Sequence, residues 1–180
     1  DNVVNDNLLD INIGLKGTLS DDISWEAYAT VSEYVATSVG TSYLSYAGLD
    51  YNISTDVTDF DEFVANIKHT TLNDDRQVMK KFYVGAQWDM FEMAGGQASS
   101  YFAIEQFETN YTALVDAQSE AGLVGGSAGN SAQGNRSVTA FSAETILPVT
   151  DWMEVDLAAR YDQYSDVGSA VTPRVGVTAQ

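Results

Sequence analysis

Leu9-Asp-Ile-Asn-Ile-Gly-Leu-Lys-Gly-Thr-Leu-Ser20 alternates between two kinds of position: Leu9, Ile11, Ile13, Leu15, Gly17 and Leu19 against Asp10, Asn12, Gly14, Lys16, Thr18 and Ser20. Successive side chains of an extended chain point to opposite faces, so this period of two predicts a strand with one apolar and one polar face. Asp21 and Asp22 supply a tight turn, after which Ile23, Trp25, Ala27, Ala29 and Val31 resume the alternation against Ser24, Glu26, Tyr28, Thr30 and Ser32. The two runs predict an antiparallel hairpin.

The same pattern recurs along the chain. Phe82, Val84, Ala86, Trp88 and Met90 alternate with Lys81, Tyr83, Gly85, Gln87 and Asp89, up to a turn at Ala94-Gly95-Gly96-Gln97. Tyr101 to Thr109 reads as the partner strand with mixed faces, Phe102 and Ile104 on one and Tyr101, Ala103 and Phe107 on the other. Val138 to Leu147 predicts a strand closed by Pro148 to Asp151. Met153, Val155, Leu157, Ala159 and Tyr161 then alternate with Glu154, Asp156, Ala158, Arg160 and Asp162, and a last strand starts at Val171. Between Val35 and Lys80 the reading is strands over Tyr43 to Ile53 and Val64 to Leu72, with a helical turn on Phe60, Phe63, Val64 and Ile67 capped by Asp59 with Glu62 three residues on. The expected fold is all-β, an antiparallel up-and-down sheet of about nine strands.

Composition limits what such a sheet does. The 180 residues carry 26 acidic and 8 basic side chains, a formal charge of -18, and 44% are apolar. Apolar content on that scale supports a packed or lipid-facing surface, while the charge argues against nucleic acid, whose binding rests on Lys and Arg displacing counterions. No apolar run reaches the length of a membrane helix and the first residues do not read as a leader peptide. A membrane β-barrel stays open, because its strands need only about 9 to 11 alternating residues. The absence of Cys excludes disulfides and thiolate metal sites.

Across the four cleanest strands the apolar face carries no charge, whereas the opposite face carries Asp10, Lys16, Glu26, Lys81, Asp89, Glu154, Asp156, Arg160 and Asp162. A soluble β-sandwich carbohydrate-binding module gives that alternation when two apolar faces meet. A barrel gives it when the apolar face meets lipid. Trp25, Trp88, Trp152 and Tyr161 near strand ends suit interfacial girdles, and short turns at one end contrast with the 25-residue connection Tyr111 to Asn135 at the other.

Leu157-Ala-Ala-Arg-Tyr-Asp-Gln-Tyr-Ser-Asp-Val-Gly-Ser169 resembles a stretch that recurs in the barrels of TonB-dependent outer-membrane receptors. Ala121-Gly-Leu-Val-Gly-Gly-Ser127 with Gly129-Asn130, then Val138 to Glu144 and Leu147-Pro148, are similar to the same family, as is Asp89-Met-Phe-Glu-Met93, with Ala94 where the family usually has proline. The resemblance is good from about Gln77 to Gln180 and weak before Tyr34. It implies a receptor in the outer membrane of a Gram-negative bacterium, built as a barrel of about 22 strands around a plug. Such a receptor binds and imports a siderophore, vitamin, sugar or peptide without covalent chemistry, driven by the TonB energy-coupling protein. Shared among 22 strands, 180 residues leave about eight each, below the roughly 9 to 11 a spanning strand needs. The expectation is therefore a partial barrel over residues 1–180 with the plug domain absent, which self-associates when isolated because its edges are unpaired.

Among residues that carry chemistry, the Gly/Ser/Asn-rich stretch Leu123 to Asn135 reads as an exposed loop, since Gly125-Gly126-x-x-Gly129 is followed by neither a helix nor a phosphate-binding Lys. Tyr111, Asn130 and Arg136 are the ligand-facing candidates there. Asp56, Asp59, Asp61 and Glu62 read as a solvated acidic turn lacking the glycine and final Glu of an EF-hand, which leaves a metal undecided. His69, the only histidine, excludes a multi-histidine site, and a surface position is its default. Glu105 with Glu108, or Glu154 with Asp156, could pair as glycosidase carboxylates, but among 26 acids such pairings arise freely; no catalytic residue and no cofactor is expected. Tyr34, Tyr43, Tyr46 and Tyr111 read as interface anchors or packing residues before ligand-stacking ones. The sequons at Asn52, Asn110 and Asn135 are incidental in a bacterial outer-membrane protein.

Overall fold

The structure, a computed structural model, describes residues 2–126 and 129–179. Its elements are β1 (Asn2–Ser20), β2 (Ile23–Ser45), α1 (Tyr46–Ser54), α2 (Phe60–Ile67), β3 (Lys68–Met93), β4 (Gly96–Val115), α3 (Ala117–Glu120), β5 (Val124–Gly125), β6 (Ala132–Thr150), β7 (Met153–Tyr164) and β8 (Gly168–Ala179). The eight strands form one antiparallel sheet in the order β1-β2-β3-β4-β6-β7-β8, with the two-residue β5 pairing β2 at Leu44↔Gly125 and Ser45↔Val124. One up-and-down sheet, not two packed against each other, replaces the sandwich alternative, and the described residues form eight strands, close to the nine or so expected.

The chain divides into two compact units. One holds Asp1–Leu9, Glu33–Val78 and Asn110–Gly134, and the other holds Asp10–Ser32, Met79–Thr109 and Asn135–Gln180. The alternating runs of the sequence lie mainly in the second, and their register accounts for its faces. Leu157 stands opposite Thr145 of β6 and Val175 of β8, Tyr161 opposite Phe141 and Val171, and Val155 opposite Leu147 and Val177. The apolar positions of three strands therefore line up on one face. Arg160 opposite Ser142 and Thr172, and Ala158 opposite Glu144 and Arg174, line up on the other.

β4, whose faces the sequence left mixed, is sorted by its neighbours: Tyr101 meets Tyr83 and Glu26 on the polar face, while Phe102 and Ile104 share an apolar groove with Val84 and Phe141. Apolar side chains this large are not buried. Among the described residues the buried apolar ones are only Ala98, Ala103, Val124, Val138 and Ala140, while Ile13, Leu15 and Val175 are 69%, 70% and 72% exposed. Folding to hide apolar area from water would have left the reverse distribution.

Several boundaries differ from the sequence reading. The strand expected over Tyr43 to Ile53 stops at Ser45, whose hydroxyl oxygen accepts the Gly48 N–H at 3.1 Å and starts α1. A serine in that position offers the backbone a local partner that competes with the ladder. The strand expected over Val64 to Leu72 begins only at Lys68, because Val64 to Ile67 complete α2. Asp59 does cap α2, accepting the Glu62 N–H at 2.8 Å. α1 and α2 meet at Gly48, where a Cβ would run into the Asn66 carbonyl, and Asn52, 2% exposed, donates to Phe63 O at 2.9 Å and accepts from Asn66 at 2.7 Å.

Pro148 to Thr150 remain in β6 through a register shift, so the turn is Asp151-Trp152. The long connection is shorter than Tyr111 to Asn135, since Tyr111 lies in β4 and Ala132 to Asn135 in β6. α3 and β5 lie within the remainder.

Leu157 and Asp156 are adjacent on β7 and face opposite ways, Leu157 42% exposed and Asp156 bonded to Arg174 at 2.7 Å. With the apolar face against lipid, Leu157→Arg should weaken folding of the parent barrel into lipid vesicles by about 2 to 4 kcal/mol near mid-bilayer. Asp156→Asn should cost much less, because Arg174 keeps Glu144 at 2.8 Å. Leu157→Phe should be tolerated by lipid; a cost as large as that of Leu157→Arg would place Leu157 against a packed interior.

Candidate functional site

The polar face of the second unit is a connected wall. Alternate positions bring Glu26 and Tyr28 on β2, Lys81 and Tyr83 on β3, Tyr101 and Glu105 on β4, and Arg160 and Asp162 on β7 to one side. The Tyr28 and Tyr83 rings stack with centroids 4.5 Å apart, and the Lys81 ammonium lies 5.6 and 5.9 Å from the two centroids. Cation–π attraction holds Lys81 from one side. Glu105 holds it from the other, with 2.5 Å between Lys81 Nζ and Glu105 Oε2.

The second oxygen of Glu105 accepts from Arg160 Nη2 at 3.0 Å, and Arg160 Nε donates to Asp162 Oδ1 at 2.9 Å. Arg160 reaches β4 past β6, which places the small Ser142 directly opposite it. The Tyr101 hydroxyl donates to Glu26 Oε1 at 3.0 Å, because a carboxylate only accepts, and it therefore accepts from the Tyr83 hydroxyl. Gly85 makes room for this pair: a Cβ there would meet both tyrosine hydroxyls. Farther along the face Arg174 spans Glu144 of β6 and Asp156 of β7. Lys81, Arg160 and Arg174 are thus already neutralised by carboxylates of the same face.

In the first unit Asp116 anchors the connection that leaves β4. Its Oδ1 accepts from the N–H groups of Gln118 and Ser119 at 3.1 Å each and lies 2.8 Å from His69 Nε2; its Oδ2 accepts from the Ser119 hydroxyl at 2.7 Å and the Leu72 N–H at 3.3 Å. Partial burial pushes the Asp116 carboxyl upward, but these donors, led by Ser119, prevail and hold it well below the usual carboxylate range. His69, expected at the surface, is instead a largely buried strap between β3 and this connection, its side chain 17% exposed. The order is not that of a catalytic triad, since the serine hydroxyl donates to the carboxylate and not to the histidine. Glu120 accepts the Ser131 N–H at 2.5 Å, a bond that keeps its carboxyl below the ordinary value and closes the connection on itself.

The sequence candidates are dispersed over these features. Tyr111 lies on β4, 43% exposed, and Asn130 is exposed in the loop before β6, both in the first unit. Arg136 lies in the second unit on β6, where Nε and Nη2 donate to Asp166 Oδ2 at 2.9 and 2.7 Å and the guanidinium faces the Tyr164 ring at 5.9 Å. That pair lowers the Asp166 carboxyl below its usual range. Tyr34 donates to Asp6 at 3.1 Å, Tyr43 accepts from Asn2 at 3.5 Å, and Tyr46 opens α1 with its N–H on Leu123 O at 2.8 Å.

Asp59 serves as a helix cap, and among the described residues no three His, Asp or Glu side chains are grouped to hold a metal ion. Glu105 and Glu108 lie at positions of opposite parity on β4, and Asp156 is engaged by Arg174. The network around Glu105 escaped the sequence reading. Alternation had put Glu26, Tyr28, Lys81, Tyr83 and Arg160 on the polar side, but which of them meet depends on register between strands far apart in sequence.

The model of a protein family described as "TonB dependent receptor-like, beta-barrel" matches residues 1–179. No curated protein matches the chain. Among solved structures, one described as the RagAB peptide transporter superposes with a TM-score of 0.70 at 16% identity over 98% of this chain and 20% of that one. The RagAB peptide importer in its closed-closed and open-open states superposes with a TM-score of 0.66 in each case, at 14% and 16% identity and with the same coverage. The chain therefore spans about a fifth of the length of the solved chains it matches.

Two outcomes test this geometry. Glu105→Gln deprives both Lys81 and Arg160 of their shared carboxylate and should destabilise the parent barrel by about 1 to 3 kcal/mol in denaturant titration; Arg76→Gln, which breaks a pair whose guanidinium is 60% exposed, should have the smaller effect. The second concerns acid. Because the folded pKa values of Asp116 and Glu120 lie below their unfolded ones, their stabilisation is complete above the ordinary values of about 3.9 and 4.3 and fades as pH falls below them. Amide protection in residues 117–126, taken relative to the intrinsic rate at each pH, should fall below about pH 4, and Asp116→Asn should bring the lower protection up to neutral pH.

Proposed function

Since the chain belongs to the TonB-dependent receptor β-barrel family, we propose that it is a segment of the barrel wall of an outer-membrane receptor that imports peptides under TonB control. The family match over nearly the whole chain carries the receptor reading. The peptide is favoured by the solved relatives, described as a peptide transporter and a peptide importer. In this reading the apolar face carried by Leu9 to Leu19, Ile23 to Val31, Phe82 to Met90 and Met153 to Tyr161 lies against the lipid of a Gram-negative outer membrane, and the wall built around Glu105 faces the lumen and the plug of the parent receptor. The protein binds and moves its cargo without making or breaking covalent bonds.

Strand length supports that placement. A bilayer needs about 9 to 11 residues per strand, whereas β2, β3 and β4 have 23, 26 and 20. The excess carries the helices α1 and α2 and the Asp116-anchored connection away from the hydrocarbon, where a rigid barrel presents variable loops to solutes. Tyr111, Asn130 and Arg136 are the ligand-facing residues of this reading, and Arg136 is held in place by Asp166.

In cells bearing the parent receptor, uptake of a mixed labelled peptide pool should require both the receptor and a functional TonB protein. Combined replacement of Tyr111 and Asn130 by Ala should reduce uptake severalfold while leaving the amount of inserted barrel unchanged. Uptake of a labelled sugar or siderophore in place of peptides would reassign the cargo, and unchanged peptide uptake by the double variant would remove these two residues from the path.

A further inference from the structure

The apolar face of the second unit is not uniform. Between β3 and β8 it contains a groove of about 540 Å³ whose walls include Phe102, Phe141 and Tyr161 and whose floor is set by Ala86, Ala143 and Ala159. Alternation of large and small side chains on neighbouring strands creates the depression: Phe141 and Tyr161 stand opposite each other with ring centroids 6.4 Å apart, and Ala143 stands opposite Ala159 two residues on. Arg160 borders the groove, but its guanidinium is turned to Glu105 and Asp162 on the other face.

The hydroxyls nearest the groove are already paired. The Ser100 and Thr145 hydroxyls bond each other at 2.8 Å, and the Tyr161 hydroxyl donates to Gln163 at 2.8 Å. Ser142 borders the groove as Arg160 does, but stands opposite Arg160 on the other face, so the side chains an occupant meets are apolar apart from the Tyr161 hydroxyl, and the depression is continuous with the surface assigned to lipid. A peptide backbone lying there would leave its own N–H and C=O groups unpaired. A hydrocarbon chain would not.

We infer that this groove seats one acyl chain of a membrane phospholipid, held in place while its neighbours exchange freely. The site rests on the membrane placement of the apolar face and is separable from it. Its test uses the parent receptor in nanodiscs of dioleoylphosphatidylethanolamine, extracted into mild detergent and weighed by native mass spectrometry. The wild type should retain one phospholipid more than Ala159→Phe or Ala143→Phe, which fill the floor, whereas Ala27→Phe on β2, which adds the same volume outside the groove, should retain as many as the wild type. Equal retention by all four proteins overturns the inference, as does an adduct with the mass of a peptide.

A second measurement needs no substitution in the groove. A phospholipid carrying a photoreactive diazirine in its acyl chain should label the wild-type segments around Phe102, Phe141 and Tyr161 severalfold more than those around Leu15 and Val177, which share the face but not the groove. Uniform labelling overturns the acyl site and leaves the membrane placement standing; no labelling anywhere on this face removes both.

Discussion

A peptide group inside hydrocarbon has no water to bond, so every N–H and C=O that crosses a bilayer must be satisfied by another part of the chain. A sheet answers this only strand by strand. Once the backbone is spent on its neighbours, the side chains have two destinations, and the period of two divides them without remainder. The rest of this molecule follows from that division. β7 sends Val155, Leu157, Ala159 and Tyr161 one way and Asp156, Arg160 and Asp162 the other, and β6 and β8 repeat the choice in register. The hydrophobic effect then acts through the solvent on the outside of the sheet instead of through a core, which is why the few buried apolar residues are small or β-branched and the large ones are exposed.

The polar side solves a different difficulty. Lys81, Arg160 and Arg174 on one wall would repel each other and attract stray anions, and each is held by carboxylates drawn from neighbouring strands. Glu105 is shared by two cations, and the stacked Tyr28 and Tyr83 place negative ring faces beside one of them. The arrangement ties β2, β3, β4 and β7 together by side chains in addition to the backbone ladder. It fixes the register of strands whose sequences alone would tolerate a slip.

The strands of the second unit were legible from alternation, and the hairpin turn at Asp21-Asp22 from its residues, because both signals are local. Leu9 to Ser20 and Met153 to Asp162 alternate with hardly an interruption. The middle of the chain was less so. Tyr51 and Ile53 flank Asn52 as strand residues would, and only the cap at Ser45 and the close approach at Gly48 reveal that they belong to a helix. β4 was ambiguous because apolar side chains occupy both of its faces, and its neighbours decide the matter. Of the site, the polar side of each strand could be read in advance, but Glu105 looked like any other acid until register brought Lys81 and Arg160 to it. His69 was read as a surface residue because its partner Asp116 lies 47 positions away, a distance no local pattern spans.

The order of strands in the sheet is nearly their order in the chain, with only the two-residue β5 departing from it. Each new strand therefore needs to find no partner other than the one just laid down, and outside the longer β2–β3 and β4–β6 connections the entropy lost in each step is that of closing a short turn. At Asp21-Asp22, Asp151-Trp152 and the turn after Tyr164 that loop is two or three residues long. Each of those hairpins can thus close as a zipper, and only at the β2–β3 and β4–β6 connections must a longer stretch be spanned before pairing begins. The wall grows from an edge that always stays open for the next strand.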